Sequence, residues 1–297
     1  MSSVKSVPST VDLFRKRMEA HMDSLTPAGA RVVEFIDQNR GATLASTAVE
    51  LAAHTQTSDA TVVRVVQTLG FAGLPELKLH LAISVDARLT PADKMRHTLK
   101  EFGGDAGLAI DTALRTHQQG LEALQQLDAR HQMLSAVTAL QAGDRIVTFG
   151  IGPTAPIAKY ASILLARSGY RASTMDAAGA ALADQLLDLH TGDALLILAY
   201  APAYPEVLAV FAEAKRLRLS TVLVTDRNPS KLSQLADLVV PVQRGMRNRV
   251  ALHATTVACL EAIVLGVSAV NHAKATGALD RLNNLRDLVK LKAGSTS

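Results

Sequence analysis

The sequence predicts an α/β protein with an all-α N-terminal domain: a helix-turn-helix bundle followed by a parallel-sheet αβα sandwich. Three observations carry that prediction. Over the first ninety residues the apolar positions fall at helical spacing between helix caps, and no run reads as a strand. From about residue 145 continuous apolar runs of strand length alternate with helical stretches, the pattern of a sheet covered on both faces. The length, 297 residues with 48% hydrophobic and 20% charged, suits two domains with separate cores.

Each element follows from local signals. A first helix is expected over 11–22. Thr26 caps a helix over 28–38, with Pro27 at the first position, where its missing N–H costs nothing, and Val32, Val33, Phe35 and Ile36 as the buried stripe. Thr47 and Glu50 form a capping box for a short helix ending near Ala53. After a tight turn at 54–57, Ser58 caps a second helix over 59–69, which Gly70 stops, and another covers 75–85. Residues 87–107 read as a linker with a broken helix. Helices at 108–127 and 129–141 lead into strands at 145–149, 172–175, 194–200, 221–225 and 238–242. Between the strands lie helices at 154–168, 177–189, 205–217 and, briefly, 230–235. Long helices at 252–274 and 278–291 close the chain. The expected domains are 1–86, a linker 87–107, and 108–297.

Composition removes several function classes. The single cysteine, Cys259, excludes a disulfide framework and multi-cysteine zinc patterns. Cys259, His253 and His272 sit in helical surroundings that read as core, so no metal and no cofactor are expected. Ser/His/Asp catalysis lacks a nucleophile elbow, which argues against an enzyme. The start of the chain has no apolar core of signal-peptide length, and the longest apolar run, 262–270, is about half a bilayer span, so a cytoplasmic protein without membrane contact is expected. The formal charge is +4, but residues 1–90 carry nine basic and nine acidic side chains, whereas 241–297 carry eight and three. Net charge therefore gives the N-terminal domain no bias toward nucleic acid.

A short helix, a tight turn and a second helix ending in Gly make a helix-turn-helix pattern, in which the second helix enters the major groove. Its inward stripe is Val62, Val65, Val66 and Leu69. Thr57, Ser58, Thr61, Arg64, Gln67 and Thr68 are the candidate DNA contacts: short hydroxyls beside free N–H groups suit phosphates, and Arg64 can reach a guanine edge. Asp59 is a carboxylate where phosphates would lie, unless it reads a cytosine amine. A solvated face of an ordinary helical bundle gives the same pattern.

The stretch Leu25-Thr26-Pro27, Ala48-Val49-Glu50-Leu51-Ala52, Thr57-Ser58-Asp59-Ala60-Thr61-Val62-Val63-Arg64 and Leu69-Gly70-Phe71-Ala72-Gly73-Leu74-Pro75-Glu76-Leu77-Lys78 resembles the DNA-binding domain of the MurR/RpiR family of bacterial transcription regulators. The resemblance implies that Thr61 and Arg64 lie in the recognition helix and that Lys78, a further candidate, lies on the next. The family usually has an aromatic where this chain has Val65, a departure that concerns core packing more than readout.

Residues 143–245 resemble a SIS (sugar isomerase) domain, the usual partner of that DNA-binding domain. The likeness rests on Gly143-Asp144-Arg145-Ile146-Val147-Thr148-Phe149-Gly150-Ile151-Gly152, on Gly192-Asp193 and on Ser230-Lys231-Leu232 with Ala236-Asp237. Gly150 and Gly152 let the chain turn off a strand end, and in this domain type a hydroxyl, here Thr154, follows at the ligand. The usual Ser-x-Ser-Gly-x-Thr after the third strand is replaced by Ala199-Tyr200-Ala201-Pro202-Ala203-Tyr204, so polar partners for a sugar phosphate are missing. Two alternatives stay open there: Tyr200 and Tyr204 line a pocket for a different small effector, or the crevice binds nothing. Arg244 and Arg247, in the turn Arg244-Gly245-Met246-Arg247-Asn248-Arg249, are candidates to hold an anionic group, against the plainer reading of a solvated basic loop.

Together the resemblances imply a regulator that binds double-stranded operator DNA as a homodimer or homotetramer under control of a small-molecule metabolite. The alternative is a SIS-type sugar-phosphate isomerase or a non-catalytic sugar-binding protein.

Overall fold

In the computed structural model, which describes residues 12–88, 90–226, 228–246 and 248–294, the chain folds as two units, residues 1–98 and 99–297. The first unit is helical: α1 (Leu13–His21), α2 (Pro27–Gln38), α3 (Arg40–Ala45), α4 (Ala48–Thr55), α5 (Asp59–Thr68) and α6 (Leu74–Arg88). The caps form as the sequence indicates. The Thr26 hydroxyl accepts from the Gly29 amide at 3.2 Å, the Glu50 carboxylate accepts from the Thr47 amide at 2.6 Å while the Thr47 hydroxyl accepts from the Glu50 amide at 3.3 Å, and the Ser58 hydroxyl accepts from the Thr61 amide at 3.2 Å.

Helix α3 has no sequence signal, because Gly41 and Thr43 are poor helix formers. Tertiary contacts hold it instead. The buried Arg40 guanidinium reaches Asp37 at 3.1 Å and Asp12 at 2.6 Å, joining the start of α1, the end of α2 and the first residue of α3. Burial pushes the Asp37 carboxyl up, but hydrogen bonds from Arg40 and Arg15 outweigh it and hold the group below the usual carboxylate range. One apolar cluster, including Phe14, Val33, Ile36, Leu51, Val62, Val65, Val66, Leu69 and Leu77, fills the unit. Val65 lies in this core, so the missing family aromatic is a packing change.

Helix α7 (Pro91–Phe102) occupies most of the segment that reads as a linker, and its break falls at Gly103 and Gly104. Then come α8 (Ala106–Leu124), α9 (Leu127–Gln141), β1 (Arg145–Gly150), a 3-10 turn at Gly152–Thr154, α10 (Ala155–Arg167), β2 (Ala172–Met175), α11 (Ala180–Leu187), β3 (Asp193–Leu198), α12 (Pro205–Leu217), β4 (Ser220–Thr225), β5 (Leu238–Pro241), α13 (Ala254–Val270) and α14 (His272–Gly294). All five strands are parallel, in the order β2-β1-β3-β4-β5. Because successive side chains alternate across a strand, Ile146, Leu196, Val222 and Val240 pack with α9, α10 and α13, whereas Val147, Leu195, Ile197 and Leu223 pack with α11 and α12. That double burial is why the strands read as continuous apolar runs.

Three expectations are corrected. Residues 230–235 form turns, because Ser230 and Ser233 cross-bond each other's backbone (Ser233 amide to Ser230 Oγ at 3.0 Å, Ser230 amide to Ser233 Oγ at 2.7 Å) and so offer an alternative to helix. The terminal helices break at Asn271, whose side chain accepts from the Lys274 amide at 3.2 Å and so caps α14; Gly277 lies inside that helix. His272, read as core, is exposed at the start of α14, whereas Cys259 is fully buried. Among the described residues no single helix is long and apolar enough to cross a membrane.

Candidate functional site

Helices α4 and α5 are joined by a turn at Gln56, in the left-handed region (φ 51°) and closed by the Thr57 amide bonding the Ala52 carbonyl at 2.9 Å. The far end of α5 is clipped by Arg17, which donates to the Gly70 carbonyl at 2.8 Å and lies over the Phe71 ring at 4.4 Å. With Val62, Val65 and Val66 locked in the core, the outward face of α5 is fixed. It exposes Ser58, Arg64, Gln67 and Thr68, with Thr57 and Thr61 partly exposed.

These side chains differ in what they already do. The hydroxyls of Thr57 and Thr55 bond each other at 2.9 Å, as do those of Ser58 and Thr61, and the Thr68 hydroxyl donates to the Arg64 carbonyl at 2.9 Å. Asp59 accepts from the Ala60 amide at 2.8 Å. Among the described residues Arg64 and Gln67 are exposed with no side-chain partner, so their donors are available outward. Lys78 lies half-buried on α6. Hydrogen bonds from Thr47, helped by the charges of His54 and Lys78, hold the Glu50 carboxyl below the usual range.

In the second unit the chain runs from β1 to β2 on one side, and β3 lies on the other. That reversal opens a crevice at the carboxyl ends of β1 and β3. Gly150 and Leu198 are register partners there. A Cβ on Gly150 would stand 2.6 Å from the Thr154 carbonyl oxygen, and Gly152 has φ +58°, so the turn needs both glycines. The buried Thr154 hydroxyl donates to the Ile151 carbonyl at 2.9 Å and reaches the Leu198 carbonyl at 3.4 Å, stapling the two loops together.

The Tyr200 side chain is buried, and its hydroxyl is 2.9 Å from that of Thr256. Burial pushes this phenol up to about 12. The Arg244 guanidinium sits 3.5 Å above the Tyr200 ring and donates to Asp226 at 2.7 Å, and the His253 ring meets Tyr200 edge-on at 5.7 Å. Burial first, then the charge of Arg244, lowers the His253 pKa from its ordinary 6.5. Tyr204 is half-exposed at the N-cap of α12. Arg249 pairs with Glu101; Arg247 lies outside the described residues.

Among the described residues, four buried polar atoms around this turn have no hydrogen-bond partner: Arg244 Nε, Asp226 Oδ1, Asn248 Oδ1 and His253 Nδ1. Buried polar groups are ordinarily paired, so these four atoms are candidate contacts for a ligand or for ordered water. Sequence reasoning did not single out Asp226, Asn248 or Thr256, and it read His253 as core. Asp226 carried a signal, since it directly follows β4 at the strand end where open α/β sheets bind ligands.

Residues 13–88 match the helix-turn-helix domain of the rpiR family, and residues 139–269 match the SIS domain. The chain belongs to the RpiR family. This RpiR-family protein is a transcriptional regulator that couples a helix-turn-helix domain to a SIS domain. A helix-turn-helix-type transcriptional regulator of Caldanaerobacter subterraneus is 23% identical over 227 residues, 72% of this chain and 74% of the relative. One from Haemophilus influenzae is 27% identical over 221 residues, 73% of this chain and 75% of the relative. Among solved structures, the Vibrio vulnificus NanR protein complexed with ManNAc-6P shares the fold with a TM-score of 0.55 at 20% identity, over 93% of this chain and 98% of that one. The sugar isomerase domain of an RpiR transcription factor from Sphaerobacter thermophilus gives 0.52 at 20% identity, over 59% of this chain and 96% of its own.

Proposed function

We propose that this RpiR-family regulator is a cytoplasmic homodimer or homotetramer that reads operator DNA through α5 and holds a small polar effector at the carboxyl ends of its strands without transforming it. Residues 1–86 serve as the reader, 87–107 as the connection and 108–297 as the sensor. The observation that carries the effector reading is the group of unpaired buried atoms on Asp226, Arg244, Asn248 and His253. Arg64, Gln67, Lys78 and the hydroxyls of Thr57, Ser58, Thr61 and Thr68 supply the DNA contacts; Gly150, Gly152, Thr154, Tyr200, Tyr204 and Arg244 surround the effector.

The crevice does not favour a phosphate. The Ala199–Tyr204 segment lacks the serine and threonine hydroxyls that would solvate one, and one terminal nitrogen of Arg244 is engaged by Asp226. Two of the unpaired atoms, Asp226 Oδ1 and Asn248 Oδ1, are acceptors, so the effector offers hydroxyl or N–H donors to them and an acceptor to Arg244 Nε. A hydroxylated metabolite meets that requirement. Catalysis is disfavoured because Asp226 is tied to Arg244 and the Tyr200 hydroxyl to Thr256. For the oligomer, exposed Leu279, Leu285, Leu288 and Val289 on α14 give a second copy an apolar surface to cover.

Calorimetric titration of the full chain with neutral sugars, hydroxy acids and sugar phosphates tests the sensor. Binding by a hydroxyl-rich compound that weakens at least tenfold in Asp226→Asn and His253→Gln is expected. A sugar phosphate that binds equally well to both variants contradicts the site.

A further inference from the structure

The outward face of α5 carries two apolar side chains that the polar contacts leave without a task. Ala60, Val63, Arg64 and Gln67 are spaced i, i+3, i+4 and i+7, so they form one stripe along the helix. All four are exposed, and Val63 is 42% exposed although it lies beside three core valines, Val62, Val65 and Val66. A β-branched residue at an exposed helical position loses rotamer freedom and packs nothing in return. Ala60 adds only a methyl next to it. The stripe is therefore an apolar step, Ala60 and Val63, flanked by two long polar side chains with free donors.

In the major groove the apolar feature available to such a step is the C5-methyl group of thymine. Resting on the reading of α5 as the DNA-contacting helix, we infer that Val63, assisted by Ala60, is a specificity-determining residue that packs on a thymine methyl beside the base pair read by Arg64. This assigns the stripe two kinds of readout: hydrogen bonds from Arg64 and Gln67, and methyl contact from Val63. The thymine then lies adjacent to the Arg64 position, because the two side chains are neighbours on the helix.

The test separates this inference from the reading beneath it. Random-site selection with the full-length wild-type chain first yields a preferred site. Each thymine in that site is then replaced by deoxyuracil, which removes only the methyl group. The expected result is a loss of about three- to five-fold in affinity at one thymine per half-site. Val63→Ala abolishes that thymine-over-uracil preference, and Val63→Thr, which retains one methyl, keeps part of it; both keep the wild-type circular dichroism spectrum, since the side chain is outside the core. A selected site in which no thymine-to-uracil change matters, or a preference undiminished in Val63→Ala, overturns the inference while leaving the regulator intact. Failure of the wild-type chain to select any sequence overturns the regulator reading and this inference with it.

Discussion

The two candidate sites solve recognition in opposite ways. On α5 the candidate polar groups are exposed or partly exposed, and Arg64 and Gln67 have no side-chain partner among the described residues, while the fold behind them is saturated by a valine core and helix caps. In the crevice the polar groups are buried, as Tyr200 and Thr256 are, or partly buried, as Arg244 and Asp226 are, and they hold one another: Tyr200 with Thr256, Arg244 with Asp226 and with the Tyr200 ring. An exposed reader can lose a contact without harm to its domain. A buried sensor cannot, because its binding groups are also part of its packing.

The largest effect that would sharpen this comparison is on stability. Arg244→Ala strips the partner from Asp226 and the cover from Tyr200, so the second unit should lose about 2–4 kcal/mol in urea unfolding. A loss below about 0.5 kcal/mol, typical of a surface change, would show the crevice to be as open as the α5 face. Tyr200→Phe removes one hydroxyl and leaves Thr256 without that partner, for which about 1 kcal/mol is expected.

The smallest effect is a pH dependence. The His253 pKa in the fold is below its ordinary 6.5, so the native ring is neutral where the unfolded chain already takes up a proton. Stability from this group is complete above about 6.5 and falls as pH drops from there through the lowered native pKa. Denaturation midpoints of wild type and His253→Gln should therefore converge with acidification below 6.5, and parallel curves would remove His253 from the buried set.

How much of each region was legible follows from the same contrast. The α5 reader was readable because its signals are local: Thr26, the Thr47–Glu50 capping box, Ser58 and Gly70 each sit within four residues of what they cap or end. Helix α3 was not, since it depends on Arg40 reaching Asp12 and Asp37. The parallel sheet was legible from its doubly buried strands, but the break at Asn271 was masked by a more conspicuous Gly277. In the crevice, Tyr200 stood out by departure from the family pattern and Arg244 by the arginine-rich turn after the last strand. Their partners were not, because Thr256 is 56 residues from Tyr200 and meets it only in the packed domain.

The N-terminal segment carries nine basic and nine acidic residues through position 90, so any DNA affinity must come from placed side chains and not from net charge. Fluorescence anisotropy of the full chain on its selected operator and on a scrambled duplex, in wild type and Arg64→Ala, measures that directly. The expected result is selective wild-type binding, with Arg64→Ala losing about 1–3 kcal/mol on the operator and little on the scrambled duplex. Equal affinity for both duplexes, unchanged by Arg64→Ala, would contradict the account.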